Sequence, residues 1–133
     1  MSSNPDLSFD QPSAIDRLMR FLAVEGITGQ EKAIARAVTR ELESVGVPRR
    51  AIRHDNAHER IPVPTQTGNL LVTLPGTRPG PRLLFATHLD TVPLCAGVVP
   101  VRATKDRITS RGDTALGGDN RTGVACLVTL AAT

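Results

Sequence analysis

His88 and Asp90 are the residues of this chain whose types and spacing first suggest chemistry. They follow a short apolar run, residues 83–86 (Leu-Leu-Phe-Ala), and Pro93 closes the segment. The apolar run predicts a buried strand. Side chains two positions apart on an extended chain point to the same side, so both would project from the carboxyl end of that strand, where open α/β sheets place ligand sites. A neutral imidazole binds zinc well, and a carboxylate can accept a hydrogen bond from its other ring nitrogen.

A second candidate is the glycine-rich segment 117–123, Gly-Gly-Asp-Asn-Arg-Thr-Gly, which runs directly into the apolar residues 124–132. The apolar run predicts a helix. Glycines just before a helix let the backbone approach a ligand closely, and a carboxylate such as Asp119 is favoured at a helix start. In isolation, Asp119 is explained as well by an N-cap role, and the glycines by a plain turn. A His-x-Asp pair alone is also common by chance, so the two segments gain weight only together.

Composition places the chain among globular proteins of one domain. It has 133 residues, of which 40% are apolar and 22% charged, and its net charge is +3. Basic and acidic residues are intermixed and no basic stripe is interleaved with aromatics, so nucleic acid is not an expected partner. The densest basic group, at residues 49–53, is explained by a solvated loop. The only aromatics are Phe9, Phe21 and Phe85, so the core must be built from Leu, Val, Ile and Ala.

The sequence carries no signal for secretion or for a membrane. Residues 1–11 are polar and acidic, without the basic start and apolar stretch of a signal peptide. No apolar run approaches membrane-spanning length. Cys95 and Cys126 are far apart and belong to no CxxC pair, so neither a disulfide framework nor a cysteine zinc site is indicated. A reduced, cytoplasmic setting is the resulting expectation.

Two amphipathic helices are predicted after a flexible leader over residues 1–12. Ser13 is the expected N-cap of the first helix. The apolar face of this helix repeats with helical spacing at Ile15, Leu18, Met19 and Leu22. Thr28 and Glu31 have the spacing of a capping box for the second helix, and Gly46 stands where a C-terminal glycine belongs. The buried face of the second helix is expected to consist of Ile34, Val38, Leu42 and Val45.

Short strands and loops are predicted between these helices and the glycine-rich segment. A loop over residues 49–67, with one short strand near 51–54, leads to a strand over 70–74. That strand and the run at 83–86 are expected to be neighbours in one sheet, with the first two helices covering a face. A further short pair is expected at 98–101 and 107–110.

His54 and His58 are four residues apart, as in a helical zinc-binding pair. The segment also contains Asp55 and Asn56 and runs into Pro62, so it is a poor helix, and no third ligand stands nearby. A zinc site needs both ligand number and geometry. A metal site at these histidines is therefore the weaker alternative.

The helix predicted over residues 124–132 is apolar on all sides and runs up to Thr133 without a capping glycine or a polar closing turn. A helix of this kind belongs inside a larger core. The sequence therefore predicts that residues 13–133 are the N-terminal part of a longer protein.

Three segments resemble, in order, the co-catalytic zinc peptidases. They are His88-Leu-Asp-Thr-Val92, Gly97-Val-Val-Pro-Val101 and Leu116-Gly-Gly-Asp-Asn-Arg-Thr-Gly123. This family includes peptidase T (tripeptide aminopeptidase), acetylornithine deacetylase, succinyl-diaminopimelate desuccinylase and carboxypeptidase G, and the likeness is strongest to the peptidase T type. The segment Thr28-Gly-Gln-Glu31 and the pair Gly68-Asn69 also look like the family. The resemblance implies the N-terminal portion of an α/β zinc-peptidase-like catalytic domain, with two helices packed on a mixed sheet and an apolar helix at the end.

The resemblance also implies a chemistry and a site. The complete enzyme would cleave peptide or amide bonds of small substrates with two Zn²⁺ ions, or with Co²⁺ or Mn²⁺. His88 looks like a ligand of one metal, Asp119 like the carboxylate bridging both, and Asp90 like the catalytic-site residue that orients His88. A shared carboxylate suits two metals about 3.5–4 Å apart, because it offsets their repulsion. Asn120 and Arg121 stand where relatives often have Asp-Lys or Met-Lys, and little effect on Asp119 is expected.

The resemblance places the general base and the remaining ligands of relatives beyond Thr133, so this chain alone is expected to be inactive. The expected partner of the full enzyme is a small peptide, and a homodimer is an expectation for it. A deacylase or desuccinylase of the same superfamily, acting on N-acyl amino acids, stays open as an alternative.

Two alternatives come from other classes of protein. A phosphate-binding module could use residues 117–123 at a helix start, although no Lys-Ser/Thr follows and Asp119 would repel phosphate. A non-catalytic interaction module could use the uncovered apolar helix as its contact surface.

Overall fold

Three helices form the centre of the fold. The computed structural model describes residues 10–133. Its helices are α1 (Gln11–Leu22), α2 (Lys32–Ser44) and α3 (Gly118–Ala131). Helix α3 packs against both α1 and α2. Within residues 10–133, no helix combines the length and apolarity needed to cross a membrane.

Four short strands form two separate antiparallel pairs. Strand β1 (Ile52–His54) pairs with β2 (Leu70–Val72), and β3 (Pro100–Thr104) pairs with β4 (Arg107–Ser110). The predicted mixture of α and β elements is confirmed, and these strands lie close to their predicted positions. The expected single mixed sheet is wrong for the described part of the chain, which contains only these two-stranded sheets.

The hydrophobic core lies between the helices. Helix α2 buries Ile34, Val38 and Leu42, as its periodicity predicts. Helix α1 buries Phe21 and Leu22, whereas the other residues of its predicted face, Ile15, Leu18 and Met19, are half-buried, because Phe21 makes the contact with the core. The buried apolar cluster consists of Phe21, Ile34, Val38, Leu42, Val47, Val124, Ala125 and Val128. Helix α3 therefore buries one face, whereas Cys126 and Leu130 on its other side are exposed.

Arg17 links the three helices at one edge of this core. Its side chain is buried, and its Nε donates to Glu41 Oε1 on α2 at 3.0 Å. Its Nη1 donates to Thr129 Oγ1 on α3 at 2.7 Å. A buried cation with both a carboxylate and a hydroxyl partner is well compensated. The contacts fix α1 against the other two helices.

The helix starts differ from the prediction. Asp10, rather than Ser13, is the N-cap of α1, and its carboxylate accepts hydrogen bonds from Ser13 N at 3.1 Å and Ser13 Oγ at 2.6 Å. The helix thus begins at Gln11, inside the predicted leader, whose residues 1–9 lie outside the described part. The expected capping box of α2 is also wrong, because Glu31 occupies the N-cap position without a side-chain cap bond. Gly46 follows the end of α2 with φ +95°, as predicted.

The predicted buried strand at residues 83–86 is absent. Leu83, Leu84 and Phe85 are exposed to 76%, 90% and 57%. A strand needs a neighbour for its backbone N–H and C=O groups. Within residues 10–133 no strand lies beside this run, and the segment first pairs at Thr91, which forms an isolated parallel bridge with Ile27.

Candidate metal centre

His88 and Asp119 meet although 31 residues separate them in sequence. His88 Nε2 lies 3.1 Å from Asp119 Oδ1. The side chain of His88 is 50% exposed and that of Asp119 is 94% exposed. An imidazole nitrogen and a carboxylate oxygen therefore converge at a point that is open to solvent.

Asp90 contacts the other ring nitrogen of the same histidine. His88 Nδ1 lies 3.1 Å from Asp90 Oδ1 and 3.1 Å from the Asp90 carbonyl oxygen. Both of these atoms accept hydrogen bonds, so Nδ1 carries the proton toward Asp90. This arrangement leaves Nε2 as the nitrogen able to bind a metal, since the partner of one ring nitrogen sets the tautomer of the ring.

A backbone bridge holds the segment that carries His88 and Asp90. Thr91 N donates to Gly26 O at 2.9 Å, and Thr28 N donates to Thr91 O at 3.0 Å. Thr91 is buried, and Gly117 packs against it: a Cβ built on Gly117 would lie 3.0 Å from Thr91 Cγ2. Gly117 also has φ +78°, a conformation that favours glycine. This glycine lets the loop that carries Asp119 approach the end of the His88 segment.

Asn120, and not Asp119, caps the regular part of α3. Asn120 Oδ1 accepts a hydrogen bond from Gly123 N at 2.8 Å, three residues on, which is the pattern of an N-cap. Asp119 and Asn120 have non-helical backbone angles, and the peptide bond between them is cis. The carboxylate of Asp119 therefore does not serve as a cap and faces His88.

Opposing effects act on the protonation of His88. Burial acts to lower the pKa of the imidazole, but the hydrogen bonds with Asp119 and with the Asp90 carbonyl, together with the charges of both carboxylates, raise it. The net effect holds the pKa of His88 above its usual range. A metal ion bound at Nε2 would have to compete with a proton for this nitrogen.

Arg121 is fully buried directly behind the site. Its Nη2 donates to Val24 O at 3.1 Å, and its Nη1 is buried without a hydrogen-bond partner among the described residues. Burial lowers the pKa of Arg121 to about 10, although nearby Cys95 and Asp90 act in the opposite direction. The residue stays charged at neutral pH. It anchors the start of α3 to the loop between α1 and α2.

The pair His88–Asp119 fits part of a zinc site. Two ligands that each lie about 2.0–2.1 Å from a tetrahedral zinc are roughly 3.3 Å apart. The separation of 3.1 Å between Nε2 and Oδ1 is close to that value. No group of three or more His, Cys, Asp or Glu side chains is placed to hold a metal within residues 10–133.

The weaker alternative, at His54 and His58, lacks the helical geometry that it needs. His54 lies in β1 and His58 in a single 3₁₀ turn, Ala57–Arg60. The ring nitrogens of His54 each lie 3.4 Å from a hydroxyl, those of Thr39 and Thr67. The i, i+4 face of a helix is therefore not formed.

Thr28 is the site residue that sequence reasoning misassigned. Its hydroxyl donates to Asp90 Oδ2 at 2.6 Å instead of capping α2. The available signal was its membership in the Thr28–Glu31 segment, which looks like the family. Its contact with a residue 62 positions away leaves no local pattern.

Comparisons with known proteins identify solved structures with a similar fold. The fold matches the crystal structure of a tripeptidase from Staphylococcus aureus with a TM-score of 0.80 and 23% identity, over 92% of this chain and 32% of that one. It matches the aminopeptidase PepT from Bacillus cereus with a TM-score of 0.78 and 29% identity, over the same shares of the two chains. The predicted resemblance to the peptidase T type is thereby confirmed.

A sequence relative gives the same picture of a partial match. The uncharacterized protein YqjE of Bacillus subtilis is 26% identical over 113 residues, which are 85% of this chain and 29% of that protein. No family model matches the sequence. The chain thus spans about a third of the length of the proteins it resembles.

Proposed function

We propose that this chain forms one side of the metal site of a hydrolase that cleaves peptide or amide bonds of small substrates, in the manner of a tripeptide aminopeptidase. The observation that carries the proposal is the convergence of His88 Nε2 and Asp119 Oδ1 at 3.1 Å, with Asp90 on the other ring nitrogen. The match to PepT supports the proposal, because 92% of the present chain aligns with 32% of that aminopeptidase.

Each residue has a separate role in this proposal. His88 binds one metal through Nε2, and Asp90 holds the ring in the orientation that exposes this nitrogen. Asp119 would be shared by two metal ions, which its largely exposed carboxylate permits. Two bound Zn²⁺, Co²⁺ or Mn²⁺ ions would polarise the scissile carbonyl and lower the pKa of the attacking water.

The proposal requires more groups than residues 10–133 bring together. A catalytic zinc takes about three protein ligands, whereas His88 and Asp119 are two. A general base is also needed to activate water. We therefore propose that the 133-residue chain alone does not hydrolyse peptides, and that further ligands and the base complete the site in the whole enzyme.

The same site serves the alternative of an N-acyl amino acid deacylase or desuccinylase, since both reactions use metal-activated water.

A non-catalytic interaction module is favoured by one observation, the exposed apolar run at residues 83–85. Metal-independent association that rises with concentration would support that alternative. The phosphate-binding alternative is disfavoured because the exposed carboxylate of Asp119 lies at the start of α3. A cytoplasmic location and a homodimeric full-length enzyme are further parts of our proposal.

Calorimetric titration with Zn²⁺ or Co²⁺ tests the site. We expect weak binding by the unaltered chain and an affinity at least about 10-fold lower in His88→Ala and in Asp119→Ala, because each loses a direct ligand. His54→Ala is the matched control and should bind like the unaltered chain. Equal binding by all four proteins, or a loss only in His54→Ala, would contradict the proposed site.

A further inference from the structure

We propose that Thr28 is a positioning residue of the metal site, whose hydroxyl holds the Asp90 carboxylate so that this carboxylate orients His88. The inference rests on the proposed function and adds to it a residue from the loop between α1 and α2. It follows from a chain of hydrogen bonds that connects Thr28, Asp90 and His88.

The first hydrogen bond of this chain, from Thr28 to Asp90, is short. Thr28 Oγ1 donates to Asp90 Oδ2 at 2.6 Å, and Asp90 Oδ1 accepts from His88 Nδ1 at 3.1 Å. The two oxygens belong to one planar group, so fixing the first restricts the second. A hydroxyl that donates to a carboxylate makes a short and comparatively strong bond. The hydroxyl thus limits rotation of the carboxylate that faces the imidazole.

The backbone brings Thr28 and Asp90 together. Residues Ile27 and Thr91 form a parallel bridge, in which Thr28 N donates to Thr91 O at 3.0 Å. Thr91 is 5% exposed, so the bridge is anchored in buried structure. Thr28 is therefore placed beside Asp90 by backbone hydrogen bonds and not by a freely moving loop.

A purely local role for the Thr28 hydroxyl is not supported. The N-cap of α2 is Glu31, which makes no side-chain cap bond, and the first N–H of the helix, Lys32 N, donates to Gln66 Oε1 at 3.3 Å and not to Thr28. Apart from Asp90, the acceptor within reach of the hydroxyl is Thr91 O, at 3.4 Å, which already accepts from Thr28 N. Thr28 is also exposed. The hydroxyl has its best acceptor in the residue that orients His88.

The consequence concerns metal binding. Partners that orient a metal-binding histidine typically contribute about 10–100-fold to metal affinity. Without the Thr28 hydroxyl, the carboxyl group of Asp90 loses a fixed orientation, and the imidazole loses a fixed acceptor for Nδ1–H. The effect should therefore reach His88 even when no metal is present.

Thr28→Val tests the inference because it removes the hydroxyl and keeps the branched shape. We expect about 10-fold weaker Co²⁺ binding by calorimetry, as for other partners that orient a ligand. We also expect shifted ring-nitrogen signals of His88 in long-range ¹H–¹⁵N spectra of the metal-free protein. Thr28→Ser should restore both. Thr39→Val, which removes a hydroxyl on α2 that donates to Ala35 O, should leave both unchanged.

Several outcomes would overturn the role of Thr28. Unchanged His88 signals in Thr28→Val would do so, and so would a Thr28→Ser variant as impaired as Thr28→Val. The spectra need no metal, so they decide the matter even where Co²⁺ binding is too weak to measure. If His88→Ala abolishes Co²⁺ binding but Thr28→Val leaves it intact, only the role of Thr28 is contradicted. Binding that His88→Ala leaves unchanged contradicts the proposed function itself.

Discussion

His88 lies between two carboxylates that come from different parts of the chain. Asp90 is two residues away on the same segment, whereas Asp119 reaches the ring from the start of α3. Asp119 can do so because Asn120 takes over the capping of α3. Of these two adjacent polar residues, Asn120 accepts the hydrogen bond at the start of α3. Asp119 is therefore free to contact His88.

The two carboxylates beside His88 affect the protonation of its ring. The pKa of the imidazole is raised in the folded, metal-free protein, despite burial, by Asp119 and Asp90. We expect the titration midpoint of His88 to lie above about 6.5, the value for an unperturbed histidine. Asp119→Ala should lower it, because the strongest of the raising interactions is removed. A ¹H NMR titration of the ring protons measures both values.

The sign of the linked stability effect follows from the same shift. A histidine with a raised folded-state pKa stabilises the fold fully below its unfolded pKa, and this contribution is lost as pH rises through the folded value. The contribution is small because the ring is half exposed.

For the titration of His88, Asp113→Asn, a change in the exposed loop before α3, is the control and should leave the midpoint unchanged. An unchanged midpoint in Asp119→Ala would mean that the two side chains do not interact in solution.

Between α1 and α2, the loop that carries Thr28 is held in place by close packing at Gly26. A Cβ on this residue would lie 2.7 Å from Ile34 Cγ2 and 2.8 Å from Arg121 Nη2. Arg121 in turn donates to Val24 O in the same loop. The loop that carries Thr28 is therefore in contact with both α2, through Ile34, and α3, through Arg121.

Gly26→Ala should consequently destabilise the protein. Extra volume in well-packed surroundings costs about 1–3 kcal/mol, which exceeds the gain of about 0.4–1 kcal/mol from a less flexible unfolded chain. Urea unfolding measures the difference. Gly80→Ala is the matched control, because no atom lies within 4 Å of the added Cβ, and it should be unchanged or more stable by up to about 1 kcal/mol. Equal stability of the two variants would contradict the packing at Gly26.

The whole molecule places its core between helices and leaves an apolar segment outside. Leu42 on α2 is 4% exposed, whereas Leu84, in the run predicted as a buried strand, is 90% exposed. Periodicity predicted the buried face of α2 correctly at Ile34, Val38 and Leu42. For α1 it was correct only in part, at Leu22, since the core contact comes from Phe21 and the remaining predicted residues are half-buried. Burial of residues 83–86 could not follow from their apolar character, because a strand is buried only where other elements cover it.

A matched pair of substitutions tests this distribution. Leu42→Ala should cost about 2–5 kcal/mol, as expected for a buried leucine that leaves a cavity. Leu84→Ala should change the unfolding free energy by less than about 0.5 kcal/mol, as at an exposed position. Chemical unfolding of both variants provides the comparison. A similar loss in both would show that Leu84 is buried in solution.

Elements with local causes could be predicted from the order of the amino acids. The buried face of α2, the glycine Gly46 after its end, and the hairpin of β3 and β4 all follow from periodicity and turn residues within a few positions. The motifs around His88 and Asp119 also identified the resemblance to the peptidase T type. These features were predictable because each depends on neighbours in sequence.

The assembly of the site depends on contacts between distant segments and is seen only in the folded chain. It placed the Thr28 hydroxyl on Asp90, 62 residues away, and it buried Arg121 behind the site. It also left residues 83–86 exposed, because no described strand pairs with them. Hydrogen bonds between distant segments leave no periodic pattern in the chain, and burial depends on what lies alongside. For that reason the sequence indicated which residues could bind a metal, and the fold showed which of them meet.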